Sequence, residues 1–144
     1  MPNDQSISFK TEQFDYMSEL PCESNAGNRF YGRDVAVYFC DRLAAEGHQA
    51  DYLDEDWGWL IVGQLAASTE FEIAIYNLND HGLGGCPGAP AWGLWLRAFQ
   101  RSKLLGLIPR KSEVTVSKSL SDTVVAAISA LGTCAEPWAD GLDS

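Results

Sequence analysis

Asp54-Glu55-Asp56-Trp57-Gly58-Trp59-Leu60-Ile61-Val62 is the stretch from which the rest of the chain is read. Three carboxylates run into two tryptophans that flank a glycine, and an unbroken apolar run follows. In a strand, Trp57, Trp59 and Ile61 share one face and Gly58, Leu60 and Val62 the other, because side chains alternate with period two. Apolar groups on both faces predict a central strand over residues 57–65. Asp54, Glu55 and Asp56 are poor strand formers, expected at the strand's edge or in the turn before it. Neighbouring carboxylates repel, so solvent, a cation or a basic partner has to hold them together. Gly58 has no side chain and lets another backbone, a ring or a ligand come close.

The flanking sequence extends this strand into a sheet. Residues 48–54 predict a short strand with Ala50, Tyr52 and Asp54 on one side. After a turn at residues 66–69, residues 70–78 alternate clearly: Phe71, Ile73 and Ile75 face one way, Glu70, Glu72, Ala74 and Tyr76 the other. Short links on both sides predict an antiparallel meander. Upstream, residues 6–20 read as one bent strand or a strand pair, and residues 30–46 as a helix. That helix carries Val35, Phe39 and Leu43 as an i, i+4, i+8 stripe, with Asn28 or Asp34 at its start and Gly47 at its stop. Phe30 and Tyr31 are expected to staple its first turn.

Downstream, residues 79–90 hold four glycines and two prolines and predict a flexible loop. Residues 91–105 read as a second helix, with Trp92, Trp95, Leu96 and Phe99 as its buried stripe and Pro90 in its first turn. A short strand over residues 113–117 leads to a last helix, capped by Ser119 or Ser121, with Val124, Val125, Ile128 and Leu131 as its packing face. Residues 133–144 read as a loose acidic tail that Trp138 docks. The sum is one α+β domain over residues 1–144, a two-layer sandwich whose mostly antiparallel sheet carries helices on one face.

Composition narrows the function classes. The chain has 144 residues, a length that suits one domain with a real core. Its start is polar, and no apolar run approaches the roughly 20 residues of a membrane span, so a soluble cytoplasmic protein without membrane partners is expected. Cys22, Cys40, Cys86 and Cys134 form no C-x-x-C pair and are expected to be reduced. The net charge is −10, unevenly spread. Residues 35–80 hold nine acids against Arg42 alone, whereas residues 81–118 hold six bases against Glu113 alone. An acidic excess argues against direct nucleic-acid binding, which needs basic surface to displace counterions. It suits a partner protein with a basic surface.

Catalytic signatures are lacking. His48 and His81 are the only histidines, and no serine sits in G-x-S-x-G. Cys86 beside His81 lies in a loop too flexible to hold a general base in place. Of the three adjacent acids only Asp54 and Asp56 share a strand face, and no second carboxylate cluster opposes them. The loop 79–90 fits neither the dinucleotide fingerprint nor the P-loop, and no metal-ligand spacing is present. No catalytic residue, metal or cofactor is therefore expected. Recognition remains, with Asp54, Glu55, Asp56, Trp57, Trp59 and Tyr31 as partner-binding residues: carboxylates in place of phosphates, aromatics as anchors. The alternative is a small-ligand site or enzyme pocket between sheet and helices, reached beside Tyr31, Trp57 and loop 79–90.

The segment Gly27-Asn28-Arg29-Phe30-Tyr31-Gly32-Arg33-Asp34, followed after the helix by Glu55-Asp56-Trp57-Gly58-Trp59, resembles a pattern found in small, mostly uncharacterised bacterial proteins. In size, charge and lack of an export signal the chain is also similar in type to immunity proteins of bacterial toxin systems and to phage-encoded inhibitors of bacterial defence. That second likeness implies an inhibitor of a partner protein.

Overall fold

The computed structural model describes residues 5–22, 25, 29–66, 68–79, 88–104 and 108–137. Its elements in order are β1 (Gln5–Lys10), α1 (Arg33–Ala45), β2 (Ala50–Glu55), β3 (Gly58–Ala66), β4 (Thr69–Asn77), β5 (Ala91–Leu104), β6 (Ile108–Val114), α2 (Lys118–Ser129) and β7 (Glu136–Pro137). The protein is an α+β sandwich: one antiparallel sheet of seven strands with the two helices on one face. Strands β2, β3, β4 and β5 follow one another across the sheet, and β1 and then β7 continue it, while β6 also pairs with β5.

The meander β2–β3–β4 forms as the alternation requires. Trp59, Ile61 and Gly63 lie opposite Ile75, Ile73 and Phe71, so their apolar side chains meet on the inner face. The register slips by one residue between Gln64 and Ala66, a bulge at the end of β3. The inner face packs on α1 through Val35, Ala36, Phe39 and Leu43, and on α2 through Leu120, Val124 and Ile128. Aromatic edges fasten the layers: Phe9 meets Phe39 at 6.0 Å between ring centroids, and Phe14 meets Trp92 at 6.1 Å. The Tyr38 hydroxyl donates to the Ala127 carbonyl at 2.6 Å and ties one helix to the other.

Three sequence expectations change. Residues 91–104 are not a helix but β5, the strand at the centre of the sheet. Its inner face is Trp92, Leu94, Leu96 and Ala98, all buried at period two. Trp95 and Phe99 lie on the other face, yet they stand three and seven residues after Trp92 and so imitate a helical stripe. One edge of β5 pairs with β4 from Trp92 to Gln100, and the other pairs first with β1 and then with β6. The second change is at residues 11–20, which leave the ladder after Lys10 and run as irregular backbone. The third concerns α2: its cap is Ser117, whose hydroxyl accepts from the Leu120 amide at 3.2 Å, and β6 ends at Val114 instead of reaching residue 117. Of the expected packing face of α2, Val125 points to solvent. Most of the expected loop 79–90 and of the acidic tail, including His81, Cys86 and Trp138, lies outside the described residues.

Candidate protein-binding surface

The acidic-aromatic stretch is the tip of a hairpin. Asp54 pairs with Trp59 and Glu55 with Gly58, leaving Asp56 and Trp57 as a two-residue turn. This turn separates the two tryptophans that strict alternation would place on one face. Trp59, in the ladder, points into the core and is 3% exposed, whereas Trp57, in the turn, is 36% exposed. Trp57 lies over Tyr76 with ring centroids 5.1 Å apart. Gly58 makes the crossing possible: a Cβ there would sit 2.6 Å from the Ile75 carbonyl oxygen on β4.

Trp59 and Tyr31, both expected at a binding surface, are structural residues. The Trp59 indole donates to the Phe30 carbonyl at 3.0 Å, and its ring lies against Gly32, where a Cβ would come within 3.0 Å of Trp59 Cδ1. Gly32 starts α1 at φ 129°, a conformation that favours glycine. Tyr31 is fully buried and donates to the Ser18 carbonyl at 2.6 Å. The segment ahead of α1 and the segment around Trp59 thus form one joint, in which a buried indole fixes the entry of the helix against the meander. These two side chains occupy the layer between sheet and helices where a ligand pocket was the alternative expectation.

Of the expected partner-binding residues, the structure brings Asp54, Glu55, Asp56 and Trp57 together at one exposed corner. Among the described residues no ion pair reaches Asp54 or Asp56, nor Asp51 one turn of the pleat away. Three bases of β5 and β6 are engaged across the sheet from them. Arg97 bonds Glu72 at 2.8 Å, Lys111 reaches the same carboxylate at 3.6 Å, and Arg101 bonds Glu70.

Those pairs explain how the outer face of the sheet does without a second helical layer. Arg97 lies 4.4 Å above the Trp95 ring and 5.5 Å from Phe99, and the Lys111 ammonium is 4.2 Å from Phe99. Long basic side chains thereby cover aromatic surface while their charges stay wet and paired. The cover stops halfway. Toward the hairpin tip the outer face carries Leu53, Leu60, Ala74 and Tyr76 in adjoining strands: Leu53 is 39% exposed, Leu60 and Tyr76 are half-buried, and Ala74 is buried. This apolar half, exposed at Leu53, ends at Trp57 and the acids. Sequence reasoning left Leu53, Leu60, Tyr76 and Trp95 out of the site. The first three were legible as outward positions of their strands, but Trp95 was assigned to a helix. Burial pushes the Tyr76 phenol up to about 12, and the charge of Arg97 offsets only part of this.

A groove of about 940 Å³ lies at the opposite end of the sheet, between the end of α1 and residues Asp51, Gln64, Glu70 and Arg101. Its walls are largely polar, with Arg101 paired to Glu70 and Lys111 to Glu72, while Asp51 on the same wall is in no described ion pair. Among the described residues no group of three or more His, Cys, Asp and Glu side chains lies close enough to hold a metal ion, and no helix is long and apolar enough to cross a membrane. His48 ends the turn after α1, its amide bonded to the Leu43 carbonyl at 2.8 Å. No protein-family model, curated protein or solved structure matches this chain.

Proposed function

We propose that this protein binds and inhibits a partner protein with a basic surface, in the manner of a toxin immunity protein or an inhibitor of a bacterial defence enzyme. One observation carries the reading. The hairpin tip sets three carboxylates beside a half-exposed indole, and among the described residues no ion pair reaches Asp54 or Asp56, while Arg97, Lys111 and Arg101 pair with Glu72 and Glu70 across the sheet. Acids around an aromatic anchor suit a rim-and-core interface: the indole and the exposed Leu53 supply the apolar centre, and the acids steer a cationic partner and set its orientation. On this reading the carboxylates take the place of nucleic-acid phosphates in the groove of an enzyme that acts on them.

The test is the triple variant Asp54→Asn, Glu55→Gln, Asp56→Asn against the product of the gene adjacent to its own. The variant should melt as the parent does, bind more slowly at low salt, and lose most of the salt dependence of association. An affinity and a salt slope equal to the parent's would remove the reading.

A further inference from the structure

Besides the short β7, two strands of the sheet, β2 and β6, pair on one side only among the described residues; β6 includes Pro109 and the bases Arg110 and Lys111, whereas β2 carries acids. At the far side, β1 is followed by the two-residue β7, which ends in Pro137, and β6 covers the rest of β5. At the near side stands β2, which among the described residues pairs only with β3. The β2–β3 register runs without a shift from Ala50 opposite Gly63 to Glu55 opposite Gly58. No described strand pairs with the other side of these six residues, and the outward backbone N–H and C=O groups of such a strand form a row. Such a row accepts an added strand.

From these features we infer that β2 is the docking edge for an extended basic segment of the partner, added as an eighth, antiparallel strand; the inference rests on the function proposed above. The side chains of β2 choose the occupant. On the outer face Asp51, Leu53 and Glu55 alternate as acid, apolar, acid. Residues directly opposite on an added strand lie within about 5 Å. The complementary pattern is therefore base, apolar, base at every second position. The apolar side chain covers the exposed Leu53, which lies opposite Leu60 in the sheet. A second copy of this chain is disfavoured at the same edge. Pairing β2 with itself about Leu53 sets Asp51 against Glu55 twice, between molecules that each carry a charge of −10. The acids therefore guard the edge against its own kind while admitting a cationic strand.

The probe is a capped peptide, Thr-Lys-Thr-Val-Thr-Lys-Thr, added at millimolar concentration and low salt to the full-length protein. Nuclear magnetic resonance reads amide shifts and hydrogen exchange along residues 50–55. Slowed exchange confined to β2 is expected, with binding about three- to tenfold weaker in the variant Asp51→Asn, Glu55→Gln. It should vanish with a peptide N-methylated at alternate residues, which keeps the charge but cannot extend the ladder. Equal binding of the N-methylated peptide would overturn strand addition while leaving the acidic surface as a partner site. So would the absence of any change at β2, or protection of β2 that grows with protein concentration alone and assigns the edge to a second copy. The function proposed above fails separately, through the triple variant's unchanged affinity for its partner.

Discussion

Two tryptophans, two positions apart, do opposite work, and the difference lies in backbone geometry. Trp59 sits in a ladder position opposite Ile75, donates its indole N–H to Phe30 and seals the start of α1. Trp57 sits in the turn and rests on Tyr76 with one side in solvent. Replacing Trp59 with Ala should therefore cost about 3–5 kcal/mol, the usual loss for a large buried aromatic, measured as a shift in denaturant midpoint. Trp57→Ala removes one stacked pair and a half-exposed ring, so about 1 kcal/mol is expected. If Trp57 is the anchor of the interface, the same substitution lowers partner affinity by at least about 2 kcal/mol. Equal destabilisation by the two variants would contradict the assignment of one to core and the other to surface. The spacing W-x-W could not reveal this split, because a strand that begins one residue later turns the first tryptophan out of the ladder.

At the scale of elements, the sheet was most readable where its two faces differ most. In β4 the inner residues Phe71, Ile73 and Ile75 alternate with Glu70 and Glu72, and both the strand and the meander around it follow. The first helix followed for the same reason, from the stripe of Val35, Phe39 and Leu43. In β5 both faces are heavily loaded, since Trp95 and Phe99 outside are nearly as large as Trp92 and Leu96 inside. Period two disappears, and what places the strand is its neighbours: β4 on one edge, β1 and β6 on the other. The outer face built by β4 and β5 also sets an alkaline limit. Folding raises the Tyr76 phenol from its ordinary 10.0 to about 12 by burial, so the folded state holds a proton that the unfolded chain has released. Stability is intact below about pH 10 and falls as pH rises toward 12. Burial, with Asp51 and Asp41 nearby, raises the Cys40 thiol from 9.0 to about 11 with the same sign. Tyr76→Phe should therefore keep more of its neutral-pH stability at pH 11 than the parent does, read from denaturant midpoints at both pH values. An identical loss in both proteins would show that the phenol does not contribute.

For the molecule as a whole, charge placement separates a self-neutralised half from an unneutralised one. Around Glu72 the protein answers its own acids with Arg97 and Lys111, and there the sheet face is closed by side chains alone. Around residues 51–57 no described ion pair reaches Asp51, Asp54 or Asp56, and on the neighbouring face Leu53 is left exposed beside the half-buried Leu60 and Tyr76. The acidic run and its place beside an aromatic were legible in the chain. That the bases of residues 81–118 would lie across the sheet from them, and not against them, was not, because it depends on β5 and β6 being strands in one sheet. In the function proposed above, this unanswered corner is the part that meets the partner. The most direct measurement is the set of indole N–H resonances of the labelled protein, followed as unlabelled partner is added at low salt. The Trp57 signal should shift or broaden first and recover as salt is raised, with Trp59 and Trp92 silent throughout. A complex that forms while Trp57 stays unchanged would contradict the claim.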